Sequence, residues 1–135
     1  MTKQGLTIKV LDIDEGDDVI QYQIWLKNTD TSTSIKFYNY SDFFKNFANN
    51  LMSFPKGVNE EVLLEIDESS FFKIYCYQPT GHTAIHIKID NNSNHPYTNK
   101  CEFFIKTIPA SINILGETLK NWNPETQNEF IWITE

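Results

Sequence analysis

The chain has 135 residues and a net charge of −7, and all 11 of its cationic side chains are lysines. Its length favours one domain, and 40% hydrophobic residues are enough for a core, so we expect a folded protein. The negative charge and the absence of arginine disfavour nucleic acids and anionic membranes as partners, because both attract basic surfaces. No apolar run approaches the roughly 18 residues of a membrane span. The polar start of the chain lacks an apolar leader, so we expect a cytoplasmic protein.

The first 40 residues predict three antiparallel strands. Apolar and polar residues alternate over residues 6–14 and 19–28, which predicts a hairpin around an acidic turn where Gly16 can adopt a positive φ. Residues 34–40 predict the third strand. The apolar spacing then becomes helical, which predicts a helix over residues 42–53 with Ser41 as its N-cap and with Pro55 and Gly57 after its end.

Four further alternating segments follow, around residues 62–66, 71–77, 82–90 and 101–106, and their short connections predict a meander. Pro109 then opens a second helix, in which Gly116 indicates close backbone packing. Residues 123–135 predict a C-terminal edge strand or a tail. The fold class is therefore α+β: one domain over residues 1–135, with an antiparallel sheet of about seven strands, two helices packed on it, and the order βββαββββαβ.

No residue pattern points to catalysis or to a cofactor. Cys76 and Cys101 lie within apolar runs and are interpreted as reduced core residues. His82 and His86 are four residues apart on a strand, about 13 Å, which is too far for one metal ion. The acidic turn after Asp12 lacks the ligand spacing of a calcium loop. We therefore expect no metal site, although a catalytic triad can assemble from distant positions and an enzyme stays open.

The carboxylates are unevenly distributed: ten of 18 lie in two short segments, residues 12–18 and 60–68. They are either a solvated surface or a surface that steers a basic partner into contact. Five aromatic residues lie on strand faces opposite the expected core: Trp25, Tyr38, Tyr40, Tyr75 and Tyr77. They either anchor a partner or belong to a second buried face. The candidate partner-binding residues are Asp12, Asp14, Glu15, Asp17, Asp18, Glu60, Glu61, Glu65, Trp25, Tyr75 and Tyr77. Whether the two acidic segments form one patch is left open.

The order of elements and the apolar pattern over residues 6–122 resemble a known family. Three strands lead into a phenylalanine-rich helix that begins near Ser41 and ends at Phe54 and Pro55; the meander follows, and its last strand, residues 101–106, runs into the helix 108–122. This resembles the WapI-type family of small bacterial immunity proteins. The resemblance implies a non-catalytic protein that protects a cell by binding a cognate toxin. Because the contact surface varies within that family, it implies no individual site residue.

Three hypotheses for function follow. In the first, the protein neutralises a toxin through an acidic and aromatic surface, with no cofactor. In the second, it is a small-ligand-binding module or an unrecognised hydrolase with a pocket between helix and sheet. In the third, it forms a homo-oligomer along the last strand, residues 130–133. The sequence does not specify the oligomeric state or the toxin.

Overall fold

The computed structural model describes residues 3–134, so Met1, Thr2 and Glu135, which belong to the predicted domain, lie outside the described part. In chain order the elements are β1 (Gln4–Asp14), β2 (Val19–Lys27), β3 (Ser32–Tyr40), α1 (Lys45–Met52), β4 (Glu61–Glu65), β5 (Phe71–Cys76), β6 (Thr83–Asp90), β7 (Lys100–Thr107), α2 (Pro109–Asn121) and β8 (Glu129–Thr134). The α+β class and the predicted order of elements are confirmed. No helix among the described residues is long and apolar enough to cross a membrane.

The strands divide between two sheets of four instead of forming one. Sheet A has the spatial order β3-β2-β1-β8, and sheet B has the order β4-β5-β6-β7; every strand pair is antiparallel. The helix α1 separates β1–β3 from β4–β7 in the chain, and β8 returns to sheet A after α2. Each sheet has one apolar face, and both faces enter the same buried cluster as the two helices.

The ends of sheet A strands meet the last strand of sheet B. The Asn28 side chain, in the β2–β3 turn, donates a hydrogen bond to the carbonyl of Phe104 on β7 at 3.0 Å. The hydroxyls of Thr107 on β7 and Thr134 on β8 are hydrogen-bonded to each other. These contacts fix the β7 edge of sheet B against the strand ends of sheet A, and the helices fill the remaining space.

The two helices run antiparallel and each satisfies the other's C-terminal carbonyls. The Asn113 amide on α2 donates to the carbonyls of Leu51 and Phe54, at 2.9 and 2.8 Å, where α1 ends. The Lys45 ammonium on α1 donates to the carbonyl of Lys120 at 2.8 Å, near the end of α2. Because the last carbonyls of a helix have no partner within it, these bonds stabilise both ends.

The close packing predicted at Gly116 is confirmed. A Cβ built there would lie 2.8 Å from the carbonyl oxygen of Ala48, from the Cβ of Leu51 and from the amide nitrogen of Met52. The predicted Pro109 start of α2 is also confirmed. The predicted start of α1 is wrong: the helix begins at Lys45 without a side-chain cap, because residues 41–44 form a turn and the Ser41 hydroxyl bonds elsewhere.

Candidate functional site

The first acidic segment forms the tip of the β1–β2 hairpin. Asp14 pairs with Val19, and its carboxylate accepts a hydrogen bond from the amide of Gly16 at 3.1 Å, which stabilises the turn. The positive φ expected at Gly16 occurs instead at Asp18, where it is 55°; aspartate tolerates this region better than most residues. The Asp18 carboxylate accepts a hydrogen bond from the Ser41 hydroxyl at 3.2 Å, so the hairpin tip is tied to the turn before α1.

A β-bulge determines which way the hairpin carboxylates point. The pairing of β1 with β2 shifts between Val10 and Asp12, so that Asp12 lies opposite Gln21 and Asp14 opposite Val19. Strict alternation from the buried Ile8 would have directed both aspartates toward the core. The bulge places them on the outer face of sheet A, the face away from the core, and Ile13 turns inward in their place.

The same ladder places two tyrosines in the rows of these aspartates, two strands away across β2. Gln21 pairs with Tyr38 and Val19 pairs with Tyr40 on the edge strand β3. Asp12 and Tyr38 therefore share one cross-strand row, and Asp14 and Tyr40 share the next. The two tyrosines are 66% and 58% exposed. We call this surface the acidic end: Asp12, Asp14, Glu15, Asp17, Asp18, Tyr38 and Tyr40.

Two further carboxylates reach the same region from other parts of the chain. The Tyr22 hydroxyl is buried and donates to the carbonyl of Tyr40 at 2.8 Å. The pKa of this phenol is raised above its ordinary value of 10.0 by burial, and further by the negative charges of Asp18, Asp42 and Glu125. Asp42 and Glu125 were missed by the sequence analysis because each is an isolated acid, in the turn before α1 and in the loop before β8.

The acidic end is not neutralised by lysine within the described part of the chain. Ion pairs of 4.0 Å or less within residues 3–134 join lysines to Glu61, Asp90 and Glu129, and Glu102 is hydrogen-bonded to His86. None of the five hairpin carboxylates between Asp12 and Asp18 has such a partner among residues 3–134. Their negative charge is therefore directed to solvent, where it acts on an approaching molecule.

Trp25 lies on the same outer face but at the opposite end of sheet A. It is half-buried and sits in the row of Thr7 and Ser34, beyond a row that contains Lys9 and Lys36. The Lys9 ammonium is 5.2 Å from the centroid of its ring. The structure thus places Trp25 in a locally basic environment and separates it from the acidic end.

The second acidic segment lies in and around the edge strand β4 of sheet B, whereas the first lies on sheet A. Glu61 and Glu65 point outward from the edge strand β4, and Glu61 forms an ion pair with Lys73 at 3.5 Å. The Glu60 carboxylate accepts a hydrogen bond from the backbone amide of Lys56 at 3.1 Å. Part of this segment is therefore bound to neighbouring residues of the chain itself.

Tyr75 and Tyr77 lie on the outer side of sheet B. With Ala84, Phe104 and Lys106 they surround a shallow depression of about 440 Å³. Glutamates and lysines both occur in other outer rows of this sheet, as in the row of Glu65, Phe71, Lys88 and Glu102. This surface is aromatic but has mixed charge, in contrast to the acidic end.

The described interior offers little room for a ligand. The void between the sheets and helices, lined by residues such as Phe47, Ile105 and Leu115, has a volume of about 20 Å³. Small-molecule sites occupy roughly 300–1,000 Å³. Cys76 and Cys101 are free and half-buried against the core. No group of three or more metal-binding side chains occurs within residues 3–134.

Comparison of the chain with protein-family models, with curated proteins and with solved structures finds no match.

Proposed function

We propose that this chain is a non-catalytic binding protein of the immunity type, which neutralises a cognate toxin by covering it with the acidic end of sheet A. One observation supports this most directly: the ladder register sets the exposed Tyr38 and Tyr40 in the same rows as Asp12 and Asp14. Protein-binding surfaces combine aromatic anchors with charges that complement the partner. The acidic end combines exposed tyrosines and carboxylates on the strands of sheet A.

The charge at this surface favours a basic partner. Unpaired carboxylates on an exposed hairpin accelerate association with a positively charged protein, and this acceleration weakens as salt is added. A toxin that acts on nucleic acid has such a surface, since it must attract phosphates. Carboxylates of the acidic end would occupy the positions that phosphates take, and the tyrosines would supply contact area.

The test uses the purified chain and the toxin domain encoded by the neighbouring reading frame, with affinity measured by calorimetry at low and high salt. Tyr38→Ala and Tyr40→Ala are each expected to weaken binding about 30-fold, equivalent to about 2 kcal/mol. Reversal of both Asp12 and Asp14 to lysine is expected to slow association and to flatten its salt dependence.

Matched controls use Tyr97→Ala and Glu65→Lys. Tyr97 is 75% exposed in the β6–β7 loop, and Glu65 lies on sheet B. Both variants are expected to bind as the unaltered chain does. The proposal is rejected if the toxin does not bind at low salt, or if the control variants lose as much affinity as the variants of the acidic end.

The alternative of a small-ligand module predicts that metabolites raise the melting temperature, because a ligand of the native state stabilises it. The void between helices and sheets, about 20 Å³, is too small for the pocket that this alternative places there, so a ligand would have to bind an open surface depression such as the one beside Tyr75 and Tyr77.

A further inference from the structure

The strand β8 forms one edge of sheet A, and no other strand within residues 3–134 pairs with its outer side. The amide of Val10 donates to the carbonyl of Asn128 at 2.9 Å, which sets the alternation of hydrogen bonds between β1 and β8. Phe130 and Trp132 then bond to β1, and the N–H and C=O groups of Glu129, Ile131 and Ile133 point away from it. The side chains of Ile131 and Ile133 are 56% and 49% exposed.

Other sheet edges are less able to accept a strand. β7 already receives a hydrogen bond from Asn28, β4 has only five residues and carries outward glutamates, and β3 carries Lys36 beside the acidic end. Charged side chains and short strands are the usual protection of an edge. The strand β8 has no lysine, no proline and no bulge in its pairing with β1, and its one charged side chain, Glu129, forms an ion pair with Lys9 of its own chain.

We propose that two copies of this chain pair antiparallel along β8 and join their A sheets into one continuous sheet. A two-fold axis through Ile131 pairs this residue with itself and pairs Glu129 with Ile133 of the second copy. In that register every outward N–H and C=O group of the three residues has a partner. On the outer face, one row then continues across the joint, from Trp25 through Thr7 and Ile131 to the same residues of the second copy.

The charge distribution is compatible with this partner. The pairing of β8 with β1 ends at Lys9 of β1, and β1 continues past that point to the acidic hairpin at Asp14. An antiparallel joint sends the two hairpins to opposite corners of the dimer, so their carboxylates do not face one another. Near the joint, Glu129 is already paired with Lys9 of its own chain at 3.6 Å. Both acidic ends stay available for partners.

The register is tested by cysteine cross-linking. Residues of a hydrogen-bonded antiparallel pair have Cα atoms about 5.5 Å apart, within the range of about 4.4–6.8 Å that a disulfide needs. Ile131→Cys is therefore expected to give a covalent dimer under mild oxidation. Ile133→Cys is the matched control, because residue 133 lies about 13 Å from its own copy in this register. Equal cross-linking of both variants, or of neither, overturns the proposal.

The dimer itself is tested by sedimentation of the unaltered chain from low micromolar to near-millimolar concentration. Ile131→Lys is expected to remain monomeric, because it sets like charges against each other on the axis. Ile114→Lys is the control, since Ile114 is 55% exposed on α2, away from the edge. Circular dichroism verifies the fold of each variant. A chain that is monomeric at all concentrations overturns the proposal.

These results are separable from those on toxin binding. Monomeric Ile131→Lys is expected to bind the toxin with unchanged affinity per chain, and Tyr38→Ala is expected to dimerise normally. If the unaltered chain dimerises but does not bind the toxin, the proposed function is refuted. If it binds the toxin but does not dimerise, the edge pairing is refuted.

Discussion

Replacing Gly116 by alanine measures how closely the two helices approach. In a helix interior this change is favourable by about 1 kcal/mol, because glycine loses more backbone entropy on folding. Here the new methyl group would meet Ala48 O, Leu51 Cβ and Met52 N at 2.8 Å, and two of these are backbone atoms that no rotamer change can move. Overpacking of this kind costs about 1–3 kcal/mol.

Separation of the helices would also lengthen the hydrogen bonds from Asn113 to the end of α1, each contributing about 1 kcal/mol. The unfavourable contributions exceed the gain, so we expect Gly116→Ala to lower the free energy of unfolding by about 1–2 kcal/mol. For a chain of this size, each kcal/mol corresponds to a decrease in Tm of about 3–5 °C.

The measurement is urea unfolding followed by tryptophan fluorescence, which reports on the buried Trp122 and Trp132. Gly57→Ala is the matched control, because a Cβ there has no atom within 4 Å and its φ is not positive. That variant is expected to be unchanged or slightly more stable. If Gly116→Ala is as stable as Gly57→Ala, the helices do not meet through their backbones and the reasoning is refuted.

Three further predictions concern single residues. Asn113→Ala leaves the last carbonyls of α1 without their side-chain donor and is expected to lower the free energy of unfolding by about 1–3 kcal/mol in thermal melts, whereas the exposed Asn121→Ala is not. Gly5→Ala is expected to detach β8, since a Cβ there would clash with the backbone oxygen of Trp132; faster amide exchange confined to β1 and β8 is the readout, and unchanged exchange argues against it. The raised pKa of Tyr22 means that the native state keeps this proton above pH 10.0 while the unfolded state loses it, so its contribution to stability is complete below that pH and declines above it. Tyr22→Phe is expected to reduce this alkaline loss by up to about 1.4 kcal/mol per pH unit in denaturant titrations, and equal slopes for both proteins contradict the assignment.

Much of the fold follows from periodicity, since strands and helices differ in the spacing of their apolar residues. The alternation in β2 and the Pro109 start of α2 depend on neighbouring residues only, and both were predicted correctly. The start of α1 was not, because Ser41 bonds to Asp18, which is distant in sequence. The division into two sheets likewise depends on which strands pair across long stretches of the chain. The spacing of apolar residues within a strand does not reveal those partners.

The candidate site shows the same limit. Clustering of acids at the hairpin is visible in the sequence, but the outward direction of Asp12 and Asp14 depends on the bulge after Val10. Their neighbourhood with Tyr38 and Tyr40 depends on the register of three strands. If the alternation of inward and outward side chains is continued through the bulge without interruption, these aspartates are wrongly assigned to the inner face.

Sheet A also constrains the order in which the protein is completed during synthesis. The strand β1 is synthesised before every other described strand, yet its second neighbour, β8, is formed by residues 129–134. The nascent chain therefore holds one side of β1 open while β4 to β7 emerge and pair with their neighbours. Chaperones that shield unpaired strands have a target throughout this interval, and the vacant side of β1 is filled only when β8 emerges.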